Sequence, residues 1–314
     1  MSSYSHAEDV LGFARARLAA GEACALAVVS HTQGGGLRWP GAMMAVTRDG
    51  TAAGYVSNGC VDADVIGHAL AAIETGKANY LVYGAGSPFM DIRLPCGGQM
   101  DVLVAPLTDP DAVAHAHDAL TARRETGLTI TRDGTFTAGP GPADRTTSWD
   151  GDKLSLHLTP KLALRVAGRG EEAIALARLA AAGDFATTLQ SPDDHTLARA
   201  RAEGLTAISL TTAQSLPDLT DDPWTAFALL FHDQDWEIPL LLQTFDGPAF
   251  WIGAVGSRRT HQLRCEALTA NGARRDQIAR LQGPIGLIPR TRDASMLAVS
   301  TLAEIASAYK DLTA

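Results

Sequence analysis

Features typical of nucleic-acid-binding and membrane proteins are missing from this sequence. The 314 residues contain no polybasic run and carry a formal net charge of −9, so we expect no nucleic-acid partner. No stretch approaches the roughly 18 uninterrupted apolar residues of a membrane span, and the N-terminus lacks a charged segment followed by an apolar one. We therefore expect no membrane partner, no signal peptide and a cytoplasmic location.

Cysteine is also scarce, with 4 in the whole chain. Without a secretion signal, so few cysteines indicate free thiols rather than a disulfide framework. Cys60 and Cys96 are too far apart to form a C-x-x-C pair, and no histidine spacing completes a zinc site. Cys24 lies in an apolar segment and Cys265 in a predicted helix, so we interpret both as packing residues.

The segments that are present alternate between strand and helix patterns, most regularly in the second half. Strand–helix alternation with nearly continuous apolar strands is typical of a parallel, doubly wound sheet. The expected fold class is therefore α/β, with an N-terminal α/β domain and a C-terminal Rossmann-like doubly wound parallel sheet. Residues 132–152 are rich in Gly, Pro, Asp and Thr and predict a linker or an exposed hairpin. The domains expected are 1–152 and 153–314.

A degenerate dinucleotide-type turn, Gly168-Arg169-Gly170, opens the C-terminal half after a predicted strand. The context fits a G-x-G-x-x-G/A fingerprint. Glu171 and Glu172 follow in the first helical turn, where they oppose a bound phosphate. Ser191 stands where an Asp or Glu would hold the ribose hydroxyls. A Rossmann-type scaffold without nucleotide is the favoured interpretation, and NAD(P) binding is the alternative.

A second candidate site follows two later strands. Gly256-Ser257-Arg258 comes directly after a strand, with Ser257 as a helix N-cap and Arg258 able to hold a phosphate or carboxylate. His232 follows another strand, at the edge of the sheet where open α/β folds bind ligands. A capped helix with solvated arginines, and a histidine in a helix cap, are the structural alternatives.

Two cysteine segments form the third candidate site. Gly59-Cys60 precedes a predicted helix, and Cys96-Gly97-Gly98 lies in a loop where glycines let backbone approach a ligand closely. For Cys60 the alternative is a small buried core thiol. Met44 follows a Pro-Gly turn that either lines a cleft or simply enters a strand.

Together these motifs resemble the xanthine dehydrogenase accessory family, XdhC/CoxI, over most of the chain and in the family's order. The residues that carry the resemblance are Pro40-Gly41, Met44, Asp49-Gly50, Gly54, Gly59-Cys60-Val61-Asp62, Cys96-Gly97-Gly98, the G-x-G turn, His232-Asp233, Asp235, Ile252-Gly253, Gly256-Ser257-Arg258, Arg264, Pro284-Ile285-Gly286-Leu287 and Ser300–Ile305. The sequence departs from the family at Asp62, usually Glu, at Ser191, usually Asp, and at Arg169-Gly170-Glu171, usually Ala-Gly-His.

The resemblance implies a maturation chaperone rather than an enzyme. Such a protein binds molybdenum cofactor, as molybdopterin or its dinucleotide form, shelters it while a terminal sulfur is added, and delivers it to an apo molybdenum hydroxylase of the xanthine, aldehyde or CO dehydrogenase type. The implied partners are that apoenzyme and a cysteine desulfurase. The predicted last helix carries an apolar stripe, Ala298, Leu302, Ile305 and Tyr309, which is either a dimer contact or core packing. From this stripe we expect a homodimer.

The resemblance also implies roles for individual residues. Soft thiolates suit molybdenum, so Cys60 and Cys96 are candidate metal contacts, and we hypothesise that they converge on one cleft. The cofactor-binding residues expected are Met44, Gly59, Cys60, Cys96, Gly97, Gly98, His232, Gly256, Ser257 and Arg258. Two rival functions are a pyridine-nucleotide oxidoreductase and a scaffold that docks the target enzyme and the desulfurase without touching the cofactor.

Overall fold

The chain forms two compact units in the computed structural model, Met1–Pro160 and Lys161–Ala314. The residues described are 6–34, 38–84, 97–217, 221–291 and 293–313. The boundary falls later in the chain than the expected 152/153 division. The reason is that Lys153–Leu158 pairs along its whole length with Thr126–Thr131 and so belongs to the first unit.

The first unit contains three helices and nine strands within the described ranges. They are α1 Ala7–Ala19, β1 Cys24–Gln33, β2 Met43–Thr47, β3 Ala52–Gly54, α2 Asp62–Thr75, β4 Asn79–Gly84, β5 Gln99–Pro106, α3 Pro110–Thr121, β6 Thr126–Thr131, β7 Phe136–Gly139, β8 Ser148–Trp149 and β9 Lys153–Leu158.

A five-stranded antiparallel sheet, ordered β3-β2-β1-β5-β4, forms the centre of this unit. Side chains alternate between the two faces of a strand, and β1 is buried on both. Leu26 and Val28 pack with α1, α3 and strands β6, β7 and β9, whereas Ala27 and Val29 pack with α2. This burial explains why β1 is a continuous apolar run in the sequence.

The segment predicted as a linker or exposed hairpin, 132–152, contributes to a second antiparallel sheet ordered β7-β6-β9-β8. Its strands flank tight turns, which explains the Gly, Pro and Asp content that suggested a linker. Phe136 is buried in the same core as α1 and α3, together with Leu128 and Ile130 of the paired strand β6. The segment therefore belongs to the first unit and includes the β6–β7 hairpin, and most of its side chains are exposed or partly exposed, as the hairpin alternative predicted.

The second unit contains six helices and six strands within the described ranges. They are β10 Ala163–Gly168, α4 Gly170–Ala182, β11 Ala186–Ser191, α5 Asp194–Ala202, β12 Thr206–Ser209, β13 Thr225–Leu230, α6 Gln234–Phe245, β14 Trp251–Ala254, α7 Arg258–Ala270, α8 Arg275–Ala279, β15 Leu281–Gln282 and α9 Ala294–Thr313.

All six strands are parallel and ordered β12-β11-β10-β13-β14-β15. This is the 3-2-1-4-5-6 order of a Rossmann fold, so the predicted doubly wound parallel sheet is confirmed. Both faces are covered, as the alternation in β13 shows: Ala228 packs against α4 and α9, and Phe227 against α6 and α7.

The apolar stripe on the last helix, which had suggested a dimer contact, belongs to this unit's own core. Ala298 and Ile305 are buried there, and Leu302 packs against the same cluster. The Tyr309 ring packs edge-on against Phe250, with ring centroids 5.9 Å apart. The stripe therefore gives no support for a homodimer.

Among the described helices, none combines the length and apolarity that crossing a membrane requires.

Candidate functional site

An open cleft of about 1110 Å³ lies in the second unit, beyond the carboxyl ends of β13 and β14. Parallel strands all end at one edge of the sheet, which is where open α/β folds bind ligands. His232 follows β13, and Gly256, Ser257 and Arg258 follow β14. All four line the cleft, so the structure brings together residues that the sequence placed only at separate strand ends.

The turn Gly256–Thr260 forms one wall of the cleft. Ser257 caps α7, and its Oγ accepts a hydrogen bond of 3.1 Å from the Thr260 backbone N–H. Gly256 has a φ of +143°, a conformation that favours glycine. The first turn of α7 contains no acidic residue, so the positive end of the helix dipole is available to an anion. Ser257 is thus the N-cap predicted from the sequence.

The loop between β15 and α9 contributes another part of the lining. Two backbone N–H groups fasten it to α9: Gly286 donates to the Glu304 carboxylate at 2.5 Å, and Ile288 donates to Ser300 Oγ at 2.6 Å. Arg290, in the same loop, has a φ of +62° and lines the cleft. Sequence reasoning missed this arginine, because the preceding strand has only two residues and gives no strand pattern.

Three exposed arginines therefore border the cleft, namely Arg258, Arg259 and Arg290. A guanidinium presents a planar fork that matches phosphate and carboxylate. In a chain with a net charge of −9, this is a local concentration of positive charge. Combined with the α7 N-terminus, the cleft can hold a phosphorylated or carboxylated ligand.

Glu172 is the acidic counterpart in this lining. Its carboxylate lies 3.5 Å from Nε2 of His232, and both residues line the cleft. Glu171, beside it on α4, instead pairs with Arg199 at 2.7 Å. Of the two glutamates expected to oppose a phosphate, one faces the cleft and the other is neutralised by a neighbouring helix.

The Gly168-Arg169-Gly170 turn is engaged by protein groups. The Gly170 N–H donates to Thr196 Oγ1 at 2.9 Å. The Arg169 guanidinium carbon lies 5.4 Å from the ring centroids of both Phe231 and Trp236. These contacts occupy the turn that would hold a pyrophosphate in a dinucleotide-binding Rossmann domain.

The end of β11 is also closed to the ribose of a nucleotide. Ser191, at the position that usually holds the ribose hydroxyls, is fully buried, and its Oγ accepts a hydrogen bond of 3.2 Å from the Asp193 N–H.

Cys60 lies in the first unit, exposed in the turn before α2. Asp62 shapes this turn through four hydrogen bonds. One carboxylate oxygen accepts from the N–H groups of Val56 and Ser57 and from Ser57 Oγ at 2.8–3.1 Å, and the other accepts from the Gly59 N–H at 2.9 Å. The shorter Asp, where the family usually has Glu, is thus used to hold the cysteine turn.

The other predicted residues of the first unit have different surroundings. Met44 is 1% exposed and packs in the core between the central sheet and α2. Gly97 is exposed with a φ of +67°, whereas Gly98 is buried. Cys96 lies outside the described residues, so convergence of Cys60 and Cys96 stays a prediction. Within the described ranges, no cluster of three or more His, Cys, Asp or Glu side chains could hold a metal ion.

Family models match segments of both units. Residues 164–305 match a family model described as the XdhC Rossmann domain, and residues 17–84 match the XdhC and CoxI family. The chain is 33% identical over 298 residues to the molybdenum cofactor insertion chaperone PaoD of Escherichia coli (strain K12), covering 95% of this chain and 87% of that protein.

A solved structure shares the fold. The crystal structure of a xanthine dehydrogenase from Bacillus halodurans matches 96% of this chain and 96% of its own, with a TM-score of 0.76 and 18% sequence identity. At that identity the likeness concerns the fold alone.

Proposed function

The chain belongs to the XdhC and CoxI family and has a role in molybdenum cofactor maturation, and we propose that it is a chaperone that binds this cofactor as cargo. In this proposal it does not turn over a substrate. It shelters the cofactor while a terminal sulfur is added and delivers it to an apo molybdenum hydroxylase. The cofactor's phosphorylated end lies in the cleft bordered by Ser257 and Arg258.

The observation that carries this proposal is that Ser257 and Arg258, at the N-terminus of α7, line one cleft together with Arg290. The pterin of the cofactor bears a phosphate, and helix N-termini and guanidinium groups are the usual holders of phosphate. The relative PaoD is named for inserting the same cofactor. The chemistry of the cleft and the name of the relative therefore agree.

The size of the cleft is compatible with either form of the cargo. Ligand pockets commonly measure about 300–1,000 Å³, and this one is about 1110 Å³. That volume admits either molybdopterin or its dinucleotide form, and both stay within the proposal. As a proposal separate from the cleft, Cys60, exposed in its turn in the first unit, is a soft contact to molybdenum.

The NAD(P)-dependent alternative receives no comparable support. It requires a pyrophosphate at Gly168–Gly170, where the Gly170 N–H already donates to Thr196 Oγ1. A cysteine desulfurase as sulfur donor belongs to the proposal as an expectation drawn from the family. A cytoplasmic location and a homodimer stay expectations drawn from the sequence.

The direct test is binding of purified cofactor under anaerobic conditions. Cofactor released from a molybdoenzyme is titrated into the protein, and bound molybdenum and pterin are measured after ultrafiltration. We expect Arg258→Ala to weaken binding at least about tenfold, since a charge-assisted hydrogen bond contributes about 1.5–3 kcal/mol. The matched control is Arg178→Ala, an exposed arginine on α4 that pairs with Glu203 away from the cleft lining.

Equal affinity of the Arg258→Ala protein and the wild type would contradict this placement of the phosphate. Saturable micromolar binding of NAD(H), followed by fluorescence, would instead favour the oxidoreductase.

A further inference from the structure

A buried ion pair lies behind the cleft, between α6 and α7. Arg264 is 0% exposed and Glu237 is 2% exposed, and Nε of Arg264 donates to the Glu237 carboxylate at 2.8 Å. Neither residue lines the cleft. The cofactor-binding role proposed above does not use them.

Such a pair is costly to keep in a protein core. Removing two charges from water offsets much of their mutual attraction, and apolar replacements of similar size are often neutral or stabilising. Here the pair is also incompletely satisfied, because Nη1 of Arg264 is buried without a hydrogen-bond partner in the described structure. Stability alone is therefore a weak reason for a guanidinium at this position.

The remaining contact of Arg264 leads to the cleft. Its Nη2 donates to the backbone carbonyl of Val255 at 2.7 Å. The N–H of Val255 donates to the Leu229 carbonyl at 3.0 Å, continuing the pairing of β14 with β13. Val255 is thus fixed on one side by the sheet and on the other by Arg264. The next residue is Gly256, where the chain turns into the anion-binding segment.

We propose that Arg264 and Glu237 form a positioning pair that sets the Gly256–Thr260 turn for the ligand's phosphate. Glu237 orients the guanidinium, and the guanidinium holds the Val255 carbonyl so that Ser257 and the first N–H groups of α7 face the cleft. The proposal rests on the function proposed above, since it assigns these residues to the same anion site. It requires no contact between Arg264 and the ligand.

A double variant separates positioning from stability. Arg264→Met alone leaves Glu237 buried and unpaired, and that protein is expected to be strongly destabilised. Arg264→Met combined with Glu237→Leu replaces the pair by apolar side chains and is expected to recover the melting temperature. If the pair only filled space, ligand binding would recover together with the melting temperature.

The measurement is calorimetric titration with inorganic pyrophosphate, alongside thermal unfolding. The double variant is expected to unfold near the wild-type temperature yet bind pyrophosphate about tenfold more weakly, because the Val255 carbonyl has lost its donor. Arg264→Lys provides a second folded variant. A single ammonium keeps the charge but lacks the rigid fork that serves Glu237 and Val255 together, so weaker binding is expected there as well.

The outcomes distinguish the two proposals. If Arg258→Ala weakens pyrophosphate binding but either folded Arg264 variant binds as the wild type does, the positioning role is wrong and the anion site stands. If the wild type does not bind pyrophosphate, or Arg258→Ala binds equally well, the anion site is wrong and the positioning role falls with it.

Discussion

Glu172 and His232 face each other in the cleft, with the carboxylate 3.5 Å from Nε2 of the imidazole. One follows the first strand of the Rossmann unit and the other follows the fourth, β13. The pair therefore brings the acidic first turn of α4 to the cleft that the arginines border. The negative charge of Glu172 in this cleft is expected to oppose anion binding.

Substitution of Glu172 by Gln is expected to strengthen binding of inorganic pyrophosphate about twofold to fivefold at low salt. The change removes a negative charge from the cleft lining, and partly exposed charges contribute up to about 1 kcal/mol. Raising the ionic strength should reduce the gain through screening. Glu171→Gln is the matched control, since that carboxylate pairs with Arg199. An equal gain in both variants would mean that net charge, rather than the cleft, is responsible.

Gly256→Ala is expected to weaken pyrophosphate binding at least about tenfold and to lower the melting temperature. A Cβ at this position would lie 3.1 Å from Cβ and Cγ2 of Thr260, and the φ of +143° disfavours any side chain. Calorimetric titration and thermal unfolding measure the two effects. Gly272→Ala, also at positive φ but with open space around it, should lose stability and keep its affinity. Wild-type affinity in Gly256→Ala would show that the turn's geometry does not matter for binding.

Among the described cysteines, Cys60 is expected to react fastest with iodoacetamide, followed by mass spectrometry at pH 8. It is exposed, whereas burial raises the pKa of Cys24 to about 11, assisted by the charge of Glu22. Burial also raises the pKa of Cys265. The reactive thiolate is therefore scarce at both positions at this pH. Labelling of Cys24 at the rate of Cys60 would refute this order.

Asp62→Asn is expected to destabilise the protein by about 1–3 kcal/mol and to change the rate at which Cys60 is alkylated. The carboxylate accepts four hydrogen bonds in the cysteine turn, and an amide nitrogen cannot accept its share. Denaturant unfolding and alkylation kinetics provide the two readouts. Asp111→Asn, on the exposed first turn of α3, should change neither. An unaltered alkylation rate in Asp62→Asn would show that the turn is held by other contacts.

The sequence predicted the second unit better than the first. Apolar strands such as β13 are buried on both faces of a parallel sheet, so their composition identifies them directly. The sheet of β6–β9 was missed because its strands are short and separated by turn residues. α6 was missed as well, and it contains Pro239, which disfavours a helix interior.

Within the candidate site, too, the residues that follow apolar strands could be predicted and the others could not. His232 and Gly256–Arg258 were predicted because each follows an apolar strand, and parallel strands end at one edge. Arg290 and Arg264 could not be found this way. Arg290 follows β15, a strand of only two residues. Arg264 lies in the second turn of α7 and donates to the backbone carbonyl of Val255, nine residues earlier in the chain. Their positions depend on tertiary packing that residue spacing does not report.

The central claim is that this chain carries molybdenum cofactor, and analysis of the protein purified from cells that make the cofactor tests it most directly. Anaerobic purification followed by molybdenum and pterin determination should find both in equal amounts on the wild type. Cys60→Ala, purified in parallel, should carry clearly less molybdenum. A wild-type protein that retains neither molybdenum nor pterin, although the same cells supply both to their molybdoenzymes, would contradict the account.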